Sequence, residues 1–352
     1  MKGYDKTMKK AVVFGYGRNY LINEHDIRNR YEIVGIADND PAKWGKNGKD
    51  YVISPDEIKQ LSFDIVLIST NVGRSQILRQ LINDLGISPE VVELWFEEAG
   101  LKKEWYNTSV ISEENGPKVL FEVNIPEREQ VRFVLEESGE YMCFDEWFCK
   151  NEYRLDVKDE FDVIDIGMNV GVATLYYASF KECKNVYSFE PFEPTYRKAV
   201  RNIQMNESIA NRVSTYNIAL SDHDSVETYD YSVEYPGGMS LLRDQAETDS
   251  VNSIKVNVRE ASGVLEPIIN EVYESGRALL MKIDCEGSEY AILSRMLESG
   301  LIKKPHYYVM ETHFGRHDEA VNTLKENGFT VFSSRIDSEL GIIYAVNSCL
   351  CK

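Results

Sequence analysis

The chain lacks any apolar run near the roughly 18–20 residues needed to span a bilayer. It also lacks C-x-x-C spacing: the six cysteines, at 143, 149, 183, 285, 349 and 351, are scattered. A chain of 352 residues can bury a core without disulfide staples, so these read as reduced thiols and a cytoplasmic location is expected. The basic start leads into an apolar stretch that stops at Gly15 and Arg18, which does not fit a signal peptide. Basic residues are scarce, 39 Lys and Arg against 58 Asp and Glu, for a net charge of −19. The first hundred residues hold 13 and 15 of these, so almost all of the excess acidity lies beyond them. A nucleic-acid partner needs clustered cations, so none is expected, and neither is a membrane partner. Internal repeats and low-complexity tracts are missing as well. What remains is an ordinary globular balance, 43% apolar and 28% charged, long enough for about two domains of roughly 150 residues each.

Residues 1–95 alternate strand and helix patterns. "AVVFGYG" (11–17), "YEIVGIADND" (31–40), "FDIVLIST" (63–70) and "EVVEL" (90–94) read as strands. Between them, "SPDE" (54–57) is a capping-box helix start, and 73–86 places apolar residues on one helical face. The alternation implies a smaller Rossmann-like α/β domain. Gly15, Gly17 and Arg18 follow the first strand, and Asp38 ends the second twenty-one residues after Gly17. That imitates a nucleotide or sugar site, but Tyr20 occupies the third glycine position of a dinucleotide fingerprint. A nicotinamide-dependent oxidoreductase, a nucleotide-sugar-binding module and a surface for oligomerisation are the alternatives this domain leaves open. Residues 95–160 lose the rhythm and hold three of the four Trp; 96–160 read as a connecting segment packing on the C-terminal core. Phe144, Trp147 and Phe148, at i, i+3 and i+4, fit helix packing or an aromatic wall.

From 161 to 352 the alternation resumes at larger scale. Strands are expected at 161–166, 186–190, 213–220, 279–284 and 306–312, with a final pair near 329–333 and 341–346. The last two have too short a connection for a crossover helix, so they should pair antiparallel. Five parallel strands closed by an antiparallel hairpin give the seven-stranded, mostly parallel sheet of class I methyltransferases. The first strand runs into Asp165-x-Gly167-x-Asn169-x-Gly171, which is neither a dinucleotide fingerprint nor a P-loop. Glu190 ends the second strand nineteen residues after Gly171, where an acid suits a ribose diol. A negative Asp165 suits an ammonium. A ligand with ammonium, carboxylate and ribose but no pyrophosphate is S-adenosylmethionine.

"VIDIGMNVGVATLYYA", "YSFEPFEPTYRKAVRNIQMN", "YNIALSD", "LLMKIDCEGSEYAIL" and "HYYVMETH", in that order, resemble the FkbM family of S-adenosylmethionine-dependent methyltransferases over roughly 119–347. The resemblance is most specific in the Asp-x-Glu-Gly-x-Glu block at 284–289. It implies methyl transfer, usually to oxygen, on a small-molecule or glycan acceptor in polysaccharide or natural-product biosynthesis. By motif match it assigns Asp165, Gly167, Met168, Asn169 and Gly171 to the cofactor's amino-acid end, Glu190 to ribose, and Ala219, Ser221 and Asp222 to the neighbourhood of adenine. An alcohol is a poor nucleophile and needs a base or a metal. "KIDCEGSE" brings Asp284 and Glu286, and "METH" brings Glu311 and His313, to the carboxyl ends of two strands. His313 is the first choice of base, followed by Asp284, then Glu286 or Glu311. The same four could instead hold a divalent cation, although the reading without a metal is preferred. Glu289 is expected to cap the following helix, and the loop "YPGGMS" (235–240) fits a lid.

Overall fold

Runs of consecutive apolar residues form the central strands of two mainly parallel sheets, because such strands are covered on both faces. The computed structural model describes residues 8–70, 73–96, 101–113, 116–150, 152–155, 157–231 and 252–350. It divides into two compact units, residues 1–123 with 132–151, and residues 124–131 with 152–352. No helix among the described residues is long and apolar enough to cross a membrane. The 235–240 loop lies outside the described residues.

The first unit holds β1 (Lys9–Phe14), β2 (Tyr31–Ala37), β3 (Gly45–Asn47), β4 (Asp50–Ile53), β5 (Ile65–Ile68) and β6 (Val92–Leu94). Their order is β3-β4-β2-β1-β5-β6, parallel except for the β3–β4 hairpin, which the sequence reading omitted. Ser54 and Glu57 form the expected capping box, but on a 3-10 turn, Pro55–Gln60. β7 (Tyr106–Glu113), β8 (Gly116–Val123) and β9 (Val131–Leu135) make a separate three-stranded sheet. Phe121 and Phe133 of that sheet pack on Phe96, Phe144 and Phe148. Phe144, Trp147 and Phe148 are therefore packing residues, all buried. Most of the segment expected to lie on the C-terminal core clusters instead with the first unit, through this aromatic cluster.

Among the residues that imitate a nucleotide site in this unit, Asp38 is occupied locally. Asp38 accepts from the backbone N–H of Tyr16 (2.7 Å) and of Asp40 (2.9 Å), and pairs with Lys43 at 3.0 Å. Its carboxylate thus holds the turn after β1. Gly15, at φ 109, packs against Ser69 and Thr70, Gly17 caps the helix Arg18–Arg30, and Arg18 is exposed.

In the second unit β10 (Phe161–Ile166), β11 (Cys183–Phe189) and β12 (Val213–Tyr216) precede β13 (Ala219–Ser221), β14 (Ser225–Tyr231) and β15 (Asn252–Glu260). β16 (Ala278–Ile283), β17 (Tyr307–Thr312), β18 (Phe329–Arg335) and β19 (Gly341–Asn347) follow. The seven-stranded sheet has the order β12-β11-β10-β16-β17-β19-β18. The first five strands are parallel, and β19 runs antiparallel to both β17 and β18. The strand expected at 213–220 breaks in two, and its second half joins a small β13-β15-β14 sheet. Helices Ala261–Ser275, Glu289–Glu298 and His317–Glu326 bury Leu265, Leu293 and Leu324 in the same apolar core as Met281 and Tyr308 of the sheet.

One close approach positions everything that follows. A Cβ on Gly167, at φ 88, would lie 1.6 Å from the backbone oxygen of Asp284. The glycine that opens the turn after β10 is required by the loop after β16. Gly276 has a similar φ of 73 with nothing within 4 Å of such a Cβ. Gly276→Ala should therefore cost about 1–2 kcal/mol, the left-handed backbone term alone. Gly167→Ala should cost about 1–3 kcal/mol more through overpacking, a difference that urea unfolding of the two variants will measure.

Candidate functional site

The carboxyl ends of β10, β11 and β16 and the start of β13 border a solvent-open cleft, about 600 Å³ with the solvent at its mouth included, at the edge where ligands sit in α/β sheets. Gly167, Asn169, Glu190, Ala219, Asp284 and Glu286 lie on its walls, with Phe189, Phe192, Ile218 and Leu220 forming an apolar side. None of the described lining residues is Lys or Arg. Asn169 and Glu286 both adopt left-handed backbone conformations, φ 50 and φ 55, an uncommon cost for non-glycine residues that concentrates at functional sites.

Glu190 is buried and fixed from both sides. Asn169 N donates to one carboxylate oxygen and Phe192 N to the other, each at 3.0 Å. Burial raises its carboxyl to about 7, against the lowering effect of these two N–H groups; Lys282 also lowers it and Asp165 raises it.

Asp165 departs from the sequence expectation. It is fully buried behind the cleft wall, because β10 and β16 run in register and place Asp165 opposite Lys282. Lys282 Nζ lies 3.2 Å from Asp165 Oδ1 and 3.5 Å from Asp284 Oδ2, and donates to the Gly167 carbonyl at 2.6 Å. Thr174 donates to the other Asp165 oxygen at 2.6 Å, which leaves Ser188 to donate to Thr174 at 2.9 Å. Burial raises the Asp165 carboxyl and Lys282 lowers it; burial lowers the Lys282 ammonium, and the charges of Asp165 and Asp284 more than reverse that. Asp284, 29% exposed, is the carboxylate left on the cleft wall. Met168 points into the core and Gly171 caps the helix Val172–Ala178, so neither lines the cleft. Nor do Ser221, which lines a neighbouring cavity, and Asp222, which pairs with His223 at 2.7 Å.

Beyond Asp284 the tip of β17 adds Glu311 and His313. Glu289, expected to cap its helix, is instead the first residue within it, after the N-cap Ser288. Its Oε1 accepts from Cys285 N (3.1 Å) and bonds His313 Nδ1 (2.9 Å). His313 Nε2 faces Glu286 at 3.6 Å and Glu311 at 4.0 Å. Tyr153, which no sequence signal marked, donates to Glu311 at 2.5 Å. Burial lowers the His313 imidazole, but the Glu289 hydrogen bond and the charges of Asp284, Glu289 and Glu286 outweigh it and raise the group to about 9. These charges favour the protonated imidazole, which must give up that proton before His313 can act as the base expected of it. Burial raises Glu286 to about 7, His313 opposing; burial and the charge of Asp284 raise Glu311 as well.

Residues 165–331 match the methyltransferase FkbM domain, and residues 7–92 match the family described as C2185-like, N-terminal. Two curated relatives are similar. The AMB antimetabolite synthetase AmbE of Pseudomonas aeruginosa is 26% identical, over 62% of this chain and 12% of its own. Methyltransferase 1 of Beauveria bassiana is 24% identical, over 38% of this chain and 58% of its own. The chain thus spans less than two thirds of either relative. A crystal structure of methyltransferase FkbM from Methylobacillus flagellatus aligns with TM-score 0.38 and 12% identity, over 96% of this chain and 90% of that one.

Lys282 is 2% exposed and Asp165 wholly buried, so removing the cation alone strands a charge. Lys282→Met should lower the unfolding free energy by about 3–5 kcal/mol. Adding Asp165→Asn should restore a large part of that loss, since the stranded charge is gone. Denaturant unfolding of the single and double variants gives the coupling, and simple additivity would rule the pair out as a unit.

Proposed function

From the methyltransferase FkbM domain at residues 165–331, we propose that the chain transfers a methyl group from S-adenosylmethionine to a hydroxyl oxygen of a sugar, glycan or natural-product acceptor. The observation that carries the cofactor reading is the cleft wall. Glu190 offers two carboxylate oxygens, each anchored by a backbone N–H, an arrangement suited to accept from both hydroxyls of a ribose. The apolar side formed by Phe189, Phe192, Ile218 and Leu220 suits a purine face. Three carboxylates and no Lys or Arg among the described lining residues disfavour a pyrophosphate ligand and favour one that carries an ammonium. Asp284, rather than the buried Asp165, is the partner we assign to that ammonium.

The cofactor supplies an electrophilic methyl on sulfur, which departs as a neutral thioether when oxygen attacks. The chain supplies orientation and a path for the proton. We assign the acceptor to the side of the cleft where Glu286, Glu311 and His313 converge, and the hydroxyl's proton leaves through that acidic wall. The relative named as an antimetabolite synthetase supports a natural-product acceptor alongside a glycan one.

Two measurements test this. Incubation with isotopically labelled S-adenosylmethionine and a panel of sugars, nucleotide sugars and hydroxylated metabolites should yield a product heavier by one methyl. A chain that does not bind S-adenosylhomocysteine would overturn the reading. The pH dependence has a definite sign: only ionised Glu190 accepts from both hydroxyls, so affinity for S-adenosylhomocysteine should rise with pH through about 7. Calorimetry should find it roughly tenfold weaker at pH 6 than at pH 8, one decade per unit below the carboxyl's pKa. Glu190→Gln should bind more weakly and lose that dependence.

A further inference from the structure

We propose that Asp284, Glu311 and His313 bind one divalent cation of the Mn²⁺ type at the tips of β16 and β17. The inference rests on the proposed methyl transfer only for its use, since a hydroxyl oxygen in a remaining coordination position would be polarised there.

Donor atoms from the three side chains lie within 4.8 Å of one another. Ligands about 2.0–2.2 Å from a shared ion stand up to roughly 4.4 Å apart, so small side-chain adjustments suffice. Proximity of acids alone would not distinguish this cluster from an ordinary acidic surface. The outer contacts do. Each of the three has one polar atom held by a separate neighbour. Asp284 Oδ2 lies 3.5 Å from Lys282, Glu311 Oε2 accepts from Tyr153, and His313 Nδ1 bonds Glu289. That is the outer shell that orients metal ligands, including the carboxylate behind the histidine. His313 is 6% exposed, and its Nε2 points at carboxylates 3.6 and 4.0 Å away, beyond hydrogen-bond distance. Glu289 Oε2 is buried with no hydrogen-bond partner among the described residues. One imidazole with two carboxylates suits Mn²⁺ better than Mg²⁺, which prefers oxygen alone.

The test is titration of the full chain, stripped with EDTA, with MnCl₂, followed by electron paramagnetic resonance and calorimetry. One saturable Mn²⁺ per chain is expected. Glu311→Gln should weaken it by at least roughly tenfold, and Tyr153→Phe, which keeps all three ligands, should weaken it within about 10–100-fold. Circular dichroism verifies that each variant is folded. No saturable Mn²⁺, or binding unchanged in folded Glu311→Gln, overturns the site; the latter would mean that ions gather on a chain of charge −19. S-adenosylhomocysteine binding, measured with EDTA present, separates the two proposals. A chain that binds S-adenosylhomocysteine but takes up no Mn²⁺ in the titration overturns the cation site and leaves the cofactor reading standing. A chain that takes up one Mn²⁺ but does not bind S-adenosylhomocysteine does the reverse.

Discussion

A single buried ammonium ties the site together. Lys282 sits in an otherwise apolar strand, 2% exposed, and reaches Asp165 on β10, the carbonyl of Gly167 and the carboxylate of Asp284. A buried lysine is tolerated only when its charge is matched, so these partners are not interchangeable decoration. Asp165 supplies the balance from behind the cleft, which leaves Asp284 on the open side. One side of the proposed cofactor cleft and one side of the acidic cluster therefore share a single cation.

The acidic cluster has the opposite character. Asp284, Glu286, Glu289 and Glu311 gather around His313, and their charges favour the protonated imidazole. Lys282 and His313 are the cations set among four carboxylates. Negative charge in excess, partly buried, is an unstable arrangement unless something positive is bound. A sulfonium, an ammonium and a divalent ion all answer that description, and the proposals above place one or more of them there.

Much of this was legible in the sequence, for physical reasons. Consecutive apolar residues gave β10, β11, β16 and β17, and a connection too short for a helix gave the antiparallel β18–β19 pair. The spacing of Gly167, Asn169 and Glu190 marked the cleft. Other features were hidden because they depend on pairings between distant residues. Lys282 is 117 positions from Asp165, and only the register of β10 with β16 brings them together. It did carry a signal, a lone charge within "ALLMKI". Tyr153 carried none, since it comes from a stretch without periodicity. β7 alternates polar and apolar residues too weakly to stand out, and Pro267 obscured the helix Ala261–Ser275. The raised pKa of His313 could not be read from "METH", because it comes from a hydrogen bond and charges at the tip of β16 and at a helix start.

The contact between Gly167 and the Asp284 carbonyl has a bearing on how such a protein can diverge. Two turns that meet main chain to main chain leave no side chain to vary between them. The spacing of the two turns is then inherited from the fold itself, insensitive to substitution drift. Variation is left to the residues that frame the opening of the cleft.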